Sequence, residues 1–236
     1  MEPNSSVNSW DLPTRLFHWT LVALIICAWV SFEFAEAIGD VTLKWHRANG
    51  LAILTLLVWR LMWGLFGSST SRFASFVRSP ATAIGYARDL AAGTPRRFLG
   101  HNPLGGWMVL ALLAALLTQA AFGLFAIDDN DLTGGPLSHL VSEKTNKLAT
   151  GRHDFIFHFL ILPLAAIHVI ANVLYGRLKG EPLNRAMMTG KKPTAAYEDA
   201  AEARIPNGAI ARAVLCLLIA AAIVLGGLWL AGGKFI

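Results

Sequence analysis

Several histidines stand in or beside long apolar runs, where an ionisable side chain is energetically unfavourable and therefore suggests function. His18 stands in "LPTRLFHWTLVALIICAW" and His46 in "KWHRANGLAILTLLVWRLMW". His168 stands in "AIHVIANVLYG", and upstream in the same run "GRHDFIFHFL" offers both His153 and His158. Imidazole is the commonest metal ligand among side chains and also a proton switch near neutral pH. The spacing of these residues has to decide between those chemistries.

The chain that carries them is 55% hydrophobic and only 15% charged over 236 residues, with mean hydropathy +0.51. Soluble domains average about 25% charged residues, so this composition implies an integral membrane protein. The formal net charge of +5 is too modest to imply nucleic-acid binding without a concentrated basic face. Cys27 and Cys216 each lie inside an apolar run and read as small core or lipid-facing residues. No C-x-x-C-H stretch exists for covalent haem attachment.

A membrane helix needs about 20 mostly apolar residues, and the stretches 16–36, 46–66, 104–127, 154–175 and 209–231 meet that length. The opening "MEPNSSVNSWDLPT" has no Lys or Arg, so the first apolar run is expected to be a retained span rather than a signal peptide. Between the second and third spans, "RFASFVRSPATAIGYARDLAAGTPRRFLG" alternates apolar groups with arginines. It is expected to lie on the membrane surface, interrupted at Pro80. Residues 193–208 read as a polar linker to a last helix at 209–231.

With the N-terminus inside, the inner segments hold thirteen Lys and Arg and the outer segments six. Such a bias sets the N-terminus in the cytoplasm and the C-terminus outside. His18 then falls near the inner face and His46 near the outer face. The fourth span has His153 or His158 toward its outer end and His168 toward its inner end. Each depth thus collects one histidine from an early helix and one from the fourth, which is what two stacked bis-imidazole centres require.

Ligands for two such centres on one helix face should be about 14 residues apart, a rise of about 21 Å. His153 and His168 are 15 apart, about 22 Å and roughly 60° off whole turns. Pro163 lies between them, and a proline often accompanies a kink or an extra-residue bulge that would restore the face. His158 is only 10 residues from His168, which fits less well in rise and rotation and leaves it as the alternative ligand.

Zinc would want its ligands clustered, whereas these are distributed over three helices at two depths. Two axial histidines per iron with no thiolate suit electron transfer and read as haem b. Arg60, 14 residues after His46, faces the same side and either pairs with a haem propionate or snorkels to the inner interface. His101, at the start of the third span, could bond a propionate or a quinone carbonyl, or simply begin a helix. His139 reads as solvated.

The segments "WDLPTRLFHW", "KWHRANGLAILTLLVWRLMWGLFGS", "SRFASFVRSP", "RRFLGHNPLGGWMVLALL" and "IHVIANVLYGRLKGEPLNRAMMTGKK" resemble the bacterial cytochrome b561 family. That family includes the cytochrome b subunits of nickel-iron hydrogenases, and the resemblance spans residues 10–192. It implies an all-α membrane four-helix bundle holding two b haems, to which residues 209–231 add a fifth span. Carried over by motif, His18, His46 and His168 match the family ligands directly. The outer ligand of the fourth helix is usually a His followed by an acid, 14 residues before the last ligand. Here His153–Asp154 sits one residue further away, with His158 competing.

The resemblance further implies exchange of electrons between membrane quinone and a partner outside, either a periplasmic c-type cytochrome or a hydrogenase. One kind of relative oxidises superoxide. Eight acids against six bases in the outer segments, among them Asp128, Asp129 and Asp131, would favour a basic partner such as a c-type cytochrome. A transporter would line a midplane path with ionisable groups, which the span interiors lack apart from Arg60. A passive anchor would have no need of four histidines at matched depths. On this reading Arg15, one turn before His18, and Arg60 both stand near propionates of the inner haem, in a respiratory protein of the bacterial inner membrane.

Overall fold

The computed structural model describes residues 6–128, 133–204 and 209–234. Five helices in it are long and apolar enough to cross a membrane. They are α1 (Leu12–Glu33), α2 (Lys44–Phe66), α5 (Pro103–Gly123), a fourth span running Glu143–Arg177, and α9 (Ala209–Leu230). The fourth span consists of α6 (Glu143–Ile156), a π turn over Phe157–Ile161, and α7 (Leu162–Leu178). Shorter pieces are α3 (Phe73–Phe76), α4 (Pro80–Ala91) and α8 (Leu183–Thr189). The all-α membrane bundle expected from the sequence is therefore the observed class.

Several helices start by one local device, a side-chain oxygen accepting the N–H three residues on. Asp11 takes Thr14 N at 2.6 Å, Ser79 takes Thr82 N at 3.2 Å, Asn102 takes Gly105 N at 2.8 Å, and Ser142 takes Thr145 N at 3.3 Å. Pro80 and Pro103 follow their caps at the first helical position, where a missing N–H is harmless. Asp40 caps α2 with both oxygens, accepting Lys44 N at 3.0 Å and Trp45 N at 2.8 Å.

These caps explain where boundaries depart from hydropathy. The Asp11 cap starts α1 at Leu12, four residues before the apolar count begins. The Ser142 cap and the Glu143–Lys147 pair (2.5 Å) start α6 at Glu143, so His153 lies well inside a helix rather than at its mouth.

The chain divides into two units. The first comprises residues 1–16, 61–112 and 164–215, and the second 17–60, 113–163 and 216–236.

In the first unit a buried polar knot joins "WDLPT" to "GSSTS". Asp11, 2% exposed, accepts hydrogen bonds from Ser68 Oγ, from Ser71 Oγ at 3.2 Å and from Trp63 Nε1 at 3.3 Å. Thr14 Oγ1 lies 2.6 Å from Ser71 Oγ and accepts from Trp63 Nε1 at 3.1 Å. A carboxylate buried this deeply is tolerated because its lone pairs are satisfied.

The same unit holds a small antiparallel sheet, β1 (Ser6–Asn8) against β2 (Lys191–Pro193), in register Ser6↔Pro193. The segment expected as a polar linker has fixed partners over its described part, 193–204. Asp199 accepts from Leu99 N at 2.5 Å and Gly100 N at 2.9 Å, and Arg204 N donates to Ser69 Oγ at 2.7 Å. Residues 205–208 lie outside the described residues. Beside that segment Lys192, 1% exposed, donates to Phe98 O at 2.8 Å and lies 3.8 Å from Glu181. Composition could not reveal these partners, because a Pro/Glu/Ala-rich stretch reads alike whether its polar groups meet water or protein.

Within this unit the segment expected at the membrane surface is the helical turn α3 followed by α4, which begins at Pro80. It buries Phe76, Ala83 and Tyr86 and leaves Ile84 exposed. In the second unit Cys216, Ala220, Val224 and Leu228 form the buried stripe of α9, while Leu218, Ile223 and Trp229 face outward. That apolar outer face is what lipid requires. Cys27 is exposed and Cys216 buried, both as free thiols.

Candidate metal centre

In the second unit His46, near the start of α2, and His153, near the end of α6, bring their rings to 6.0 Å between centroids with planes 82° apart. His46 Nδ1 lies 2.9 Å from Ala28 O on α1. His153 Nδ1 lies 2.9 Å from Gln119 O on α5. A backbone carbonyl can only accept, so in each ring Nδ1 carries a proton and Nε2 is the nitrogen left to bind a metal. Orientation of a metal-binding imidazole by its other nitrogen is the usual support for such a ligand.

The donor set fits a haem iron. Two imidazoles on opposite sides of one iron, each nitrogen about 2 Å from it, hold their ring centres roughly 6 Å apart. Among the described residues no group of three or more His, Cys, Asp or Glu comes together as a metal cage. A two-histidine donor set suits haem, whose porphyrin supplies the remaining ligands.

Local structure makes both carbonyls accessible. Gly123 follows Gln119 by one turn, and a Cβ there would meet His153 Cε1 at 2.9 Å and Nδ1 at 3.2 Å. A glycine at 123 is therefore what lets the His153 ring close onto α5. Ala28 O also accepts Ser31 Oγ at 3.1 Å, and Phe32 lies 5.5 Å from the His46 ring. Ala28, Gln119 and Gly123 were not singled out by the sequence reading. Their part is played by backbone, and only the glycine at a helix end was a visible signal.

The π turn at Phe157–Ile161 sits immediately before Pro163, between His153 and His168. A π turn takes up one more residue than an α turn, so the 15-residue separation acts as about 14 on a regular helix. His158, inside that turn, is exposed and sits 3.1 Å from both the backbone oxygen and Oδ1 of Asp154.

The other candidates are placed as follows. His18, half-buried on α1, meets Trp19 edge-on at 4.9 Å. Arg60 on α2 is 3% exposed, too deeply enclosed to be a simple snorkelling side chain. In the first unit, His168 on α7 accepts from Asn172 Nδ2 through Nε2 at 3.1 Å. Arg15 Nη1 donates to Met188 O at the end of α8, at 2.7 Å. Gly190, at φ +80°, permits that contact, since a Cβ there would lie 3.1 Å from Arg15 Nε and 2.8 Å from Trp10 O. Arg15 is thus engaged in fastening α8. His101 stands between Trp10 (4.7 Å) and Phe76 (4.6 Å). His139 is exposed in the second unit. Asp129 and Asp131, counted toward an acidic outer face, lie outside the described residues.

No curated protein sequence matches the chain significantly. The family model described as prokaryotic cytochrome b561 matches residues 9–190, which takes in every histidine discussed above and stops short of α9. A bundle of membrane helices, carrying two carbonyl-oriented imidazoles at the separation an iron would set, agrees with that match, and the chain belongs to the prokaryotic cytochrome b561 family of membrane b-type cytochromes.

Proposed function

We propose that the protein passes electrons between membrane quinone and a redox partner on the outer face, such as a periplasmic c-type cytochrome, through two haem b groups. His46 and His153 would hold the outer iron, and His18 and His168 the inner one. Held by two histidines, each haem would supply one-electron transfer rather than oxygen binding.

The observation that carries this reading is the His46–His153 pair, with its 6.0 Å ring separation and both Nδ1 protons committed to carbonyls. His153 rather than His158 is the ligand on this reading, because His158 points into an exposed contact with Asp154. Support for the inner pair comes from the family motifs and from the π turn, which brings the His153–His168 interval to helical register. Arg60 would pair with a propionate, since a buried guanidinium binds a carboxylate with charge-assisted bonds. The excess of Lys and Arg in the N-terminal-side segments supports a cytoplasmic N-terminus and the bacterial inner membrane.

The test is reduction of the purified protein by a quinol, followed by reoxidation with a soluble c-type cytochrome, each followed by absorbance. Rapid reduction and reoxidation are expected. Failure of any quinol to reduce a protein that dithionite reduces would overturn the quinone assignment.

A further inference from the structure

The first unit contains a cavity of about 160 Å³ with no histidine in its lining, walled by Arg78, Thr82, Arg96, Pro103, Glu198 and Asp199. Its charges are sorted. Asp199 already accepts two backbone N–H groups, from Leu99 and Gly100, so it belongs to the framework. Arg96 makes a 4.0 Å contact with Asp89, both side chains being nearly half exposed, and such a contact is weak. Arg78 is anchored through its backbone, where its carbonyl accepts Trp107 Nε1 at 3.1 Å. Glu198 is fixed by its own N–H, which donates to Arg97 O at 3.0 Å. Thr82 belongs to the first turn of α4, whose positive dipole end adds to the two guanidiniums.

The depth of the cavity is set by Pro103, the first residue of the α5 span. Trp107, one turn further in and exposed, bonds to the Arg78 carbonyl, and tryptophan marks the headgroup level of a membrane. Leu104, on the same first turn, is also exposed. A ligand in this cavity would therefore lie among lipid headgroups with apolar surface beside it.

We propose that this cavity binds the headgroup of a zwitterionic phospholipid, with Arg78 and Arg96 on the phosphate and Glu198 on the ammonium. Two guanidiniums suit a phosphodiester through charge-assisted bonds. A carboxylate within the same cavity selects a primary ammonium, which has N–H groups to donate, over a quaternary one, which has none. It also disfavours an anionic headgroup that presents phosphate alone.

The test is native mass spectrometry of the haem-loaded protein in detergent, exchanged separately with phosphatidylethanolamine, phosphatidylcholine, phosphatidylglycerol and inorganic phosphate. Phosphatidylethanolamine should be retained about tenfold more tightly than the other two lipids, a difference of one good polar contact. Inorganic phosphate should fail to displace it. Arg78→Gln with Arg96→Gln should abolish the preference, while Glu198→Gln should make phosphatidylglycerol equal to phosphatidylethanolamine. An unchanged haem spectrum certifies the fold of each variant. Equal retention of all three lipids by the wild-type protein would overturn the proposal. So would a preference that survives in the double arginine variant, or displacement by inorganic phosphate, which would make the site one for the free ion.

Discussion

In the second unit two histidines spend their Nδ1 protons on helix carbonyls and bring their rings to 6.0 Å between centroids. In the first unit Asp11, Lys192 and Asp199 are as deeply engaged, but with serine hydroxyls, a tryptophan N–H and loop backbone. Both sets of polar groups are satisfied. They differ in what is left over: the histidine pair keeps an Nε2 on each of two neighbouring rings, whereas the hydrogen bonds of the Asp11 knot run among its own members. A polar network that leaves ring nitrogens over on neighbouring residues reads as a site, and one that closes on itself reads as a fastening.

If that contrast is right, the two regions should fail differently. Asp11→Ala removes the acceptor for Ser68, Ser71, Trp63 and the Thr14 amide. It should lower stability by about 3 kcal/mol or more, since several buried donors lose a charged partner. The thermal midpoint in detergent should fall sharply, while the haem spectrum of the protein that remains folded stays unchanged. A normal midpoint would mean that the knot is not a fastening.

Gly123→Val should act in the opposite way. Its side chain would strike the His153 ring, weakening haem retention at that centre by about 10- to 100-fold as for other supports of a metal ligand. The fold should suffer little, because position 123 ends α5. Haem content and circular dichroism, measured together, separate the two effects.

Arg60→Gln should lower the midpoint potential of the inner haem by about 30–60 mV, near the 59 mV that corresponds to a tenfold change for one electron. A positive charge nearby favours the reduced form, and its removal takes that away. Arg15→Gln should shift the potential less, because Arg15 is committed to Met188 O. Redox titration of both variants checks the order.

The smallest expected effect concerns pH. Burial holds the Lys192 ammonium below its ordinary 10.5, with Glu181 opposing the shift. Burial also raises the Tyr86 phenol above its ordinary 10.0, assisted by Tyr175. For Lys192 the unfolded chain binds the extra proton, so stability rises with pH over the window below 10.5. For Tyr86 the folded chain keeps the proton, so stability falls as pH climbs past 10.0. Lys192→Met should flatten the rise and leave the fall, whereas Tyr86→Phe should soften the fall. Thermal midpoints from about pH 8 to pH 11 resolve both slopes.

Much of this was legible in the sequence because membrane helices are long and hydropathy is a direct measure of them. The spans, the break at Pro80 and the extra residue before Pro163 all follow from helix periodicity and proline chemistry. The pairing of His46 with His153 could be suspected from spacing. The carbonyls of Ala28 and Gln119 could not, since every residue has one and only packing decides which is reachable. The Asp11 knot was hidden for another reason. "WDLPT" and "GSSTS" are more than fifty residues apart, and each reads locally as an ordinary cap or turn. The fixed course of 193–204 was likewise invisible, because polar composition does not say where polar partners are.

The central claim is that His46 and His153 hold the same iron. Haem content by pyridine extraction, measured on His46→Ala, His153→Ala and the double variant, tests it most directly. Two haems per chain are expected for the wild type and one for each of the three variants, with the same spectral component missing and no further loss in the double variant. A double variant that loses both haems while each single variant loses one, or a His153→Ala protein that keeps two haems while His158→Ala keeps one, would contradict the account.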